Sequence, residues 1–285
     1  MHRTVLGVSA ASPNVQDIAQ WGACEQWLPH ALICATWIEQ EQLDREESSS
    51  LLDRAGYYLD DRGRYAEAEP LYQRALAIRE RQFGPEHPTT ASSLNNLAEL
   101  YHEQGKYAEA EPLLQRALRI SEQQLGPEHP DTASSLNNLA GLYVSRGKYV
   151  EAEPLYQRAL TIRERQLGPA HPTMASSLNN LAELYQQQGK YGEAEALYQR
   201  ALAICKWQLG PQHPDTASSL NNLAELYRAQ GRYGEAEALL KRALATWERT
   251  WGSAHPYTQN LRQGYVSLLR AIGRDAEARG LKEGS

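Results

Sequence analysis

GPEHPDTASSLNNLA, residues 126–140, recurs at 84–98, 168–182 and 210–224 with one to three changes each time. The copies start 42 residues apart, and a degraded fifth turn runs from Gly252 to Pro256. Its histidines, His87, His129, His171, His213 and His255, keep that spacing, as do Gly63, Gly105, Gly147, Gly189, Gly231 and Gly273. Self-similarity at such a period signals stacked units, each burying its apolar face on its neighbours. Such a fold offers a long surface in place of one pocket. Binding is expected before catalysis.

Within one unit the apolar residues sit at helical spacing. Leu94, Leu97, Ala98 and Tyr101 fall at i, i+3, i+4 and i+7, one stripe of a first helix. Pro88 suits its first turn, and Gly105 suits its C-terminal end. Tyr107, Ala110, Leu114, Ala117 and Leu118 mark a second, longer helix running to Gly126. Neither stripe can be covered within the pair, so units must stack. Alanines recur where helices should approach closely: Ala98 with Ala110, Ala140 with Ala152, Ala182 with Ala194, Ala224 with Ala236. Pro70, Pro112 and Pro154, near the end of the first turn of the second helices, should each cost at most one backbone hydrogen bond.

Composition agrees with an all-α chain. Leu, Ala, Glu, Gln and Arg dominate, and there is one Phe in 285 residues. A net charge of −6 gives no footprint for nucleic acid. Cys24, Cys34 and Cys205 lack metal-ligand spacing and read as free thiols of a reducing, cytoplasmic compartment. No apolar run suits a secretory signal or a membrane span.

The pattern Leu97-Ala98, Tyr101, Gly105, Tyr107, Ala110, Leu114, Ala117 resembles the tetratricopeptide repeat. The longer second helix and the Gly-Pro-Glu-His-Pro-Asp-Thr connection at 126–132 are similar to the 42-residue variant of kinesin light chains. Comparable arrays form the C-terminal sensor regions of bacterial signalling ATPases of the STAND (NB-ARC) type. The resemblance implies a right-handed superhelical solenoid of antiparallel helix pairs, with residues 47–285 as six units behind an N-terminal cap at 1–46. The cap rests on the apolar stretch 15–42, with Trp21, Trp27, Leu28, Leu32 and Trp37. Terminal units diverge: Asp53 and Arg54 replace the Asn pair in the first, Gln263 and Gly264 in the last, whose second helix near Asp275 to Lys282 is short. No phosphate-binding Gly-x-x-x-x-Gly-Lys-Ser/Thr loop is present.

The resemblance also implies a ligand groove lined by first helices. On that wheel Asn95, Asn96 and Glu99 point away from the buried stripe. Their counterparts are Asn137 and Asn138, then Asn179, Asn180 and Glu183, then Asn221, Asn222 and Glu225, with Arg228 toward the C-terminal end. An Asn amide both donates and accepts, so such a ladder can pair with any peptide backbone. It could equally fix the stacking of one unit on the next. Acidic residues Asp53, Asp60, Asp61, Glu99 and Glu103 gather in the first half, which predicts a peptide neutral or basic there.

Catalysis is not expected, because every Ser, His and Asp that might serve recurs with the period. Metal and cofactor are not expected either. Turn histidines of successive units lie about 10 Å apart by helix packing, too far to share an ion bound at roughly 2 Å. They should pack in the turn or cap the next helix. Trp207, Trp247 and Trp251 read as packing or partner surface. Three functions remain: a peptide-binding scaffold, a sensor array of a larger ATPase, and end-to-end self-association through terminal units.

Overall fold

The computed structural model describes residues 1–15 and 20–283; residues 16–19 of the predicted cap stretch lie outside them. Every regular element among them is an α-helix. The chain divides into two compact units, Met1–Lys148 and Tyr149–Ser285.

The first unit holds α1 (His2–Ala10), α2 (Trp21–Gln40), α3 (Glu46–Asp61), α4 (Tyr65–Phe83), α5 (Pro88–Glu103), α6 (Tyr107–Gln124) and α7 (Pro130–Ser145). Here α3 packs on α4 and α5 on α6, while α4 meets α5 and α6 meets α7. First helices also touch each other, α3 to α5 and α5 to α7, forming one shared face. The second unit holds α8 (Tyr149–Leu167), α9 (Pro172–Gln187), α10 (Tyr191–Gln208), α11 (Pro214–Ala229), α12 (Tyr233–Trp251), α13 (Pro256–Ala271) and α14 (Asp275–Glu283). The same pairing repeats there, with α9 beside α11.

Local chemistry sets the helix ends. Gly105 and Gly126 have φ of +72° and +103°, where a side chain would be strained. Each turn histidine is an N-cap. The His87 Nδ1 accepts from the Thr89 amide at 3.2 Å, and His129 from Asp131 at 3.1 Å. His171, His213 and His255 do the same for Thr173, Asp215 and Tyr257. Pro then follows at the first helical position, where no donor is needed. The capping alternative for the histidines holds.

The alanines of the predicted pairs are each fully buried. Tyr101 departs from expectation. It is only part-buried, because its hydroxyl reaches Glu69 of the preceding helix pair. Ser93, Leu100 and their counterparts are buried instead, so the stripe is wider than its apolar letters. Pro70 is the sixth residue of α4, in the second turn, where one amide donor is lost. The helix α1 was not anticipated. Its Val5 is buried, and the Val8 carbonyl accepts from the Trp27 indole at 2.9 Å. The tryptophans divide: Trp247 is buried, Trp251 half-buried, and Trp207 83% exposed.

Candidate binding face of the first helices

Asn95 and Asn96 occupy the shared face of α3, α5 and α7, and both are half-buried. The Asn95 Nδ2 donates to the Ser135 hydroxyl on α7 at 3.2 Å. That oxygen lies 3.3 Å from Ser121 Oγ, so the contact ties three helices together. Asn96 hydrogen-bonds the Asp53 carboxylate of α3, which also pairs with Arg79 at 2.5 Å. Burial nevertheless holds the Asp53 carboxyl above its ordinary range, the arginine offsetting it only partly. One Asn pair thus links its own unit forward to α7 and back to α3. The structural alternative for the ladder is realised at these two rungs.

Asn137 and Asn138 lie half-buried on α7. In the second unit Asn179, Asn180, Asn221 and Asn222 are likewise half-buried on α9 and α11. The Oδ1 atoms of Asn95 and Asn179 are buried without a partner. An oxygen so enclosed is beyond a ligand's reach without local movement.

The carboxylates stand further out. Glu99 and Glu183 are exposed. Burial, then Glu99, Glu103 and Asp61, push the Asp60 carboxyl up to about 7. Glu99 is raised too, by its crowded setting and by Glu103, with His102 working the other way. Like charges accumulate between α3 and α5. On α11 the balance differs: Arg228 is held by Glu225 of its own helix at 2.5 Å, so the guanidinium is largely neutralised.

Sequence reading missed a second ladder, on the edge where second helices meet the next pair. Glu69 accepts from the Tyr101 hydroxyl at 3.2 Å and from Lys106 at 3.1 Å. Glu153 repeats this with Tyr185 and Lys190, and Glu195 with Tyr227 and Arg232, while Glu237 takes Arg274 and Tyr265, one turn before the ladder position that Leu269 fills. Glu111 receives Arg146 and lies 3.9 Å from Lys148. Lys106, Lys148, Lys190 and Arg232 also sit over their tyrosine rings, Lys190 at 4.9 Å from the Tyr185 centroid. The signal was available as the recurring spacing Glu-x3-Gln…Tyr-x4-Lys/Arg. It carried no apolar period, and so escaped.

Helix pairs stacked by paired-alanine contacts, cross-unit ladders and a polar first-helix face define a repeat-built interaction fold. The tetratricopeptide repeat model matches residues 46–123, 90–165, 131–206, 173–249 and 215–283, and the chain belongs to that family. Its fold is that of an all-α tetratricopeptide solenoid. It is similar to the crystal structure of the nearly identical TPR-like repeats of a Podosopora anserina kinesin light chain. That match has 31% identity and a TM-score of 0.57, over 73% of this chain and 99% of the other. It is similar also to BtubC (BKLC) from P. vanneervenii, at 25% identity and TM-score 0.60, over 86% and 95% of the two chains. A nucleotide-binding leucine-rich repeat (NLR)-like protein of Hyaloscypha variabilis is 40% identical over 72 residues. That stretch is 25% of this chain and spans 7% of the relative's length.

Proposed function

We propose that this chain is a non-catalytic, cytoplasmic scaffold that binds a protein or extended peptide along its first-helix faces. The carrying observation is the acidic group Asp60, Asp61, Glu99 and Glu103, set between α3 and α5, where Arg62 and His102 offset the like charges only in part. A face that raises its own carboxyl pKa values favours a partner's cation, which would restore the ionised form. The partner segment is therefore neutral to basic at the N-terminal half. Net charge supports no nucleic acid, and among the described residues no helix is long and apolar enough to cross a membrane. Asn138, Asn180 and Asn222 remain peptide-backbone contacts in this reading, while Asn95 serves stacking.

Fluorescence titration with a Lys/Arg-rich and an Asp/Glu-rich peptide of equal length tests the reading. Tighter binding of the basic peptide at low salt, weakening as salt rises, is expected. Tighter binding of the acidic one would refute it.

The NLR-like relative favours a second reading, in which the array is the sensor part of a larger nucleotide-binding signalling protein. The face would be the same, with ligand binding biasing another domain. Self-association through terminal pairs is the third reading, and light scattering across concentrations separates it.

A further inference from the structure

The edge ladder has a gap at its start. Arg232 binds two carboxylates, Glu235 of its own helix and Glu195 of the preceding pair. Arg274 likewise binds Glu277 and Glu237. Arg64 occupies the same repeat position and has the first of these partners, Glu67, at 2.8 Å. The second would come from α2, where Trp27 holds the equivalent position and the nearby Glu25 is paired with Arg62. Leu59 stands where the four middle units carry the ladder tyrosine, as Leu269 does in the last.

Beside Arg64 lies a cavity of about 460 Å³ between α2 and the end of α3. Leu28, Pro29 and Leu32 of α2 make its apolar wall. Tyr58 forms its inner side, 1% exposed, with a hydroxyl that has no hydrogen-bond partner. Leaving such a group unsatisfied costs about 1–3 kcal/mol. Arg62 and Glu25 flank the mouth as an exposed ion pair at 3.4 Å, long enough to exchange readily. Burial, with Glu25 adding to it, raises the Tyr58 phenol, so it stays a protonated donor at neutral pH.

We propose that this cavity binds a small carboxylic acid with an apolar body. Its carboxylate takes the place of the ladder glutamate, against Arg64, and accepts from the Tyr58 hydroxyl once the exposed Arg62–Glu25 pair swings aside to uncover it. Its hydrocarbon lies along Leu28 and Leu32. The volume is in the range of small-ligand sites, roughly 300–1,000 Å³. The site is apart from the first-helix face and does not depend on how that face is used.

Calorimetric titration of the full chain with octanoate and 4-phenylbutyrate, beside octanol and 4-phenylbutanol, tests it. Saturable binding of the acids is expected, roughly tenfold tighter than of the alcohols. Tyr58→Phe and Arg64→Gln should each weaken the acids by about the same factor, and leave the alcohols nearly unchanged. Tyr58→Phe removes only an unsatisfied hydroxyl, so folding is not at risk, and the acid–alcohol comparison needs no variant. Equal affinity for acid and alcohol, no saturation by either acid, or acid affinity unmoved by Tyr58→Phe would overturn the proposal. So would selective binding of peptides ending in an apolar residue when the small acids fail to bind.

Discussion

Asn95 and Ser135, 40 residues apart in sequence, share a hydrogen bond of 3.2 Å that fastens α5 to α7. One of the asparagines read as a candidate ligand contact makes a stacking contact here. Asn95→Ala should therefore lower stability by about 1 kcal/mol, or roughly 2–4 °C in melting temperature at this chain length. Thermal melts followed by circular dichroism will show it. Glu99→Gln, on the same helix, should leave the melting temperature unchanged or raise it.

The turn histidines act through Nδ1 as caps. His129→Ala should cost about 0.5–2 kcal/mol, and His129→Asn should recover most of it, because Asn can accept from the same amide. Urea denaturation of the three proteins distinguishes a cap from a packing residue, for which Asn would be no better than Ala.

The edge ladder makes stability acid-sensitive. Lys241, then Arg274, hold the Glu237 carboxyl down at about 2, against an ordinary 4.5. A carboxyl depressed in the folded state contributes stability above the unfolded value, and loses it as pH falls from about 4.5 toward 2. Glu237→Gln should unfold at lower urea than wild type at pH 7, with the difference shrinking below about pH 4.5 and closing only as pH nears 2. A difference constant across that window would contradict the ladder's role.

Asp60 carries the opposite sign. Its carboxyl, raised to about 7, is held nearer its neutral form by folding, so its ionisation costs stability as pH rises from about 4 through 7. Asp60→Asn should raise the melting temperature at pH 8 and change it little at pH 4. For a basic peptide the same group works in reverse: about one-tenth ionised at pH 6 and nine-tenths at pH 8, it should favour binding at the higher pH. Anisotropy titrations at both pH values measure that.

The period and the alanine contacts made the helix pairs legible in sequence, since close approach needs small side chains at fixed positions. The face of Glu99 and Asn95 was legible too, from the wheel. Which Asn turned inward was not: that depends on Ser135, a polar letter whose burial no hydrophobic pattern reveals. The tyrosine ladder escaped for the same reason, because its partners lie in different units. Helix α1 carries too few apolar residues to show a stripe, and its place is set by Val5 and the Trp27 indole. The Tyr58 cavity became visible only when Arg64 could be compared with Arg232 and Arg274 in space.

The most direct test of the central claim is anisotropy titration of one labelled Lys/Arg-rich peptide against wild type and the Asp60→Asn, Glu99→Gln, Glu103→Gln triple variant at pH 8. These substitutions are near-isosteric and keep the stacking contacts of Asn95 and Asn96. With helicity unchanged, affinity should fall at least about tenfold, as expected when several desolvated charge contacts are lost. An affinity equal to wild type would show that the shared face of α3 and α5 is not where the partner binds.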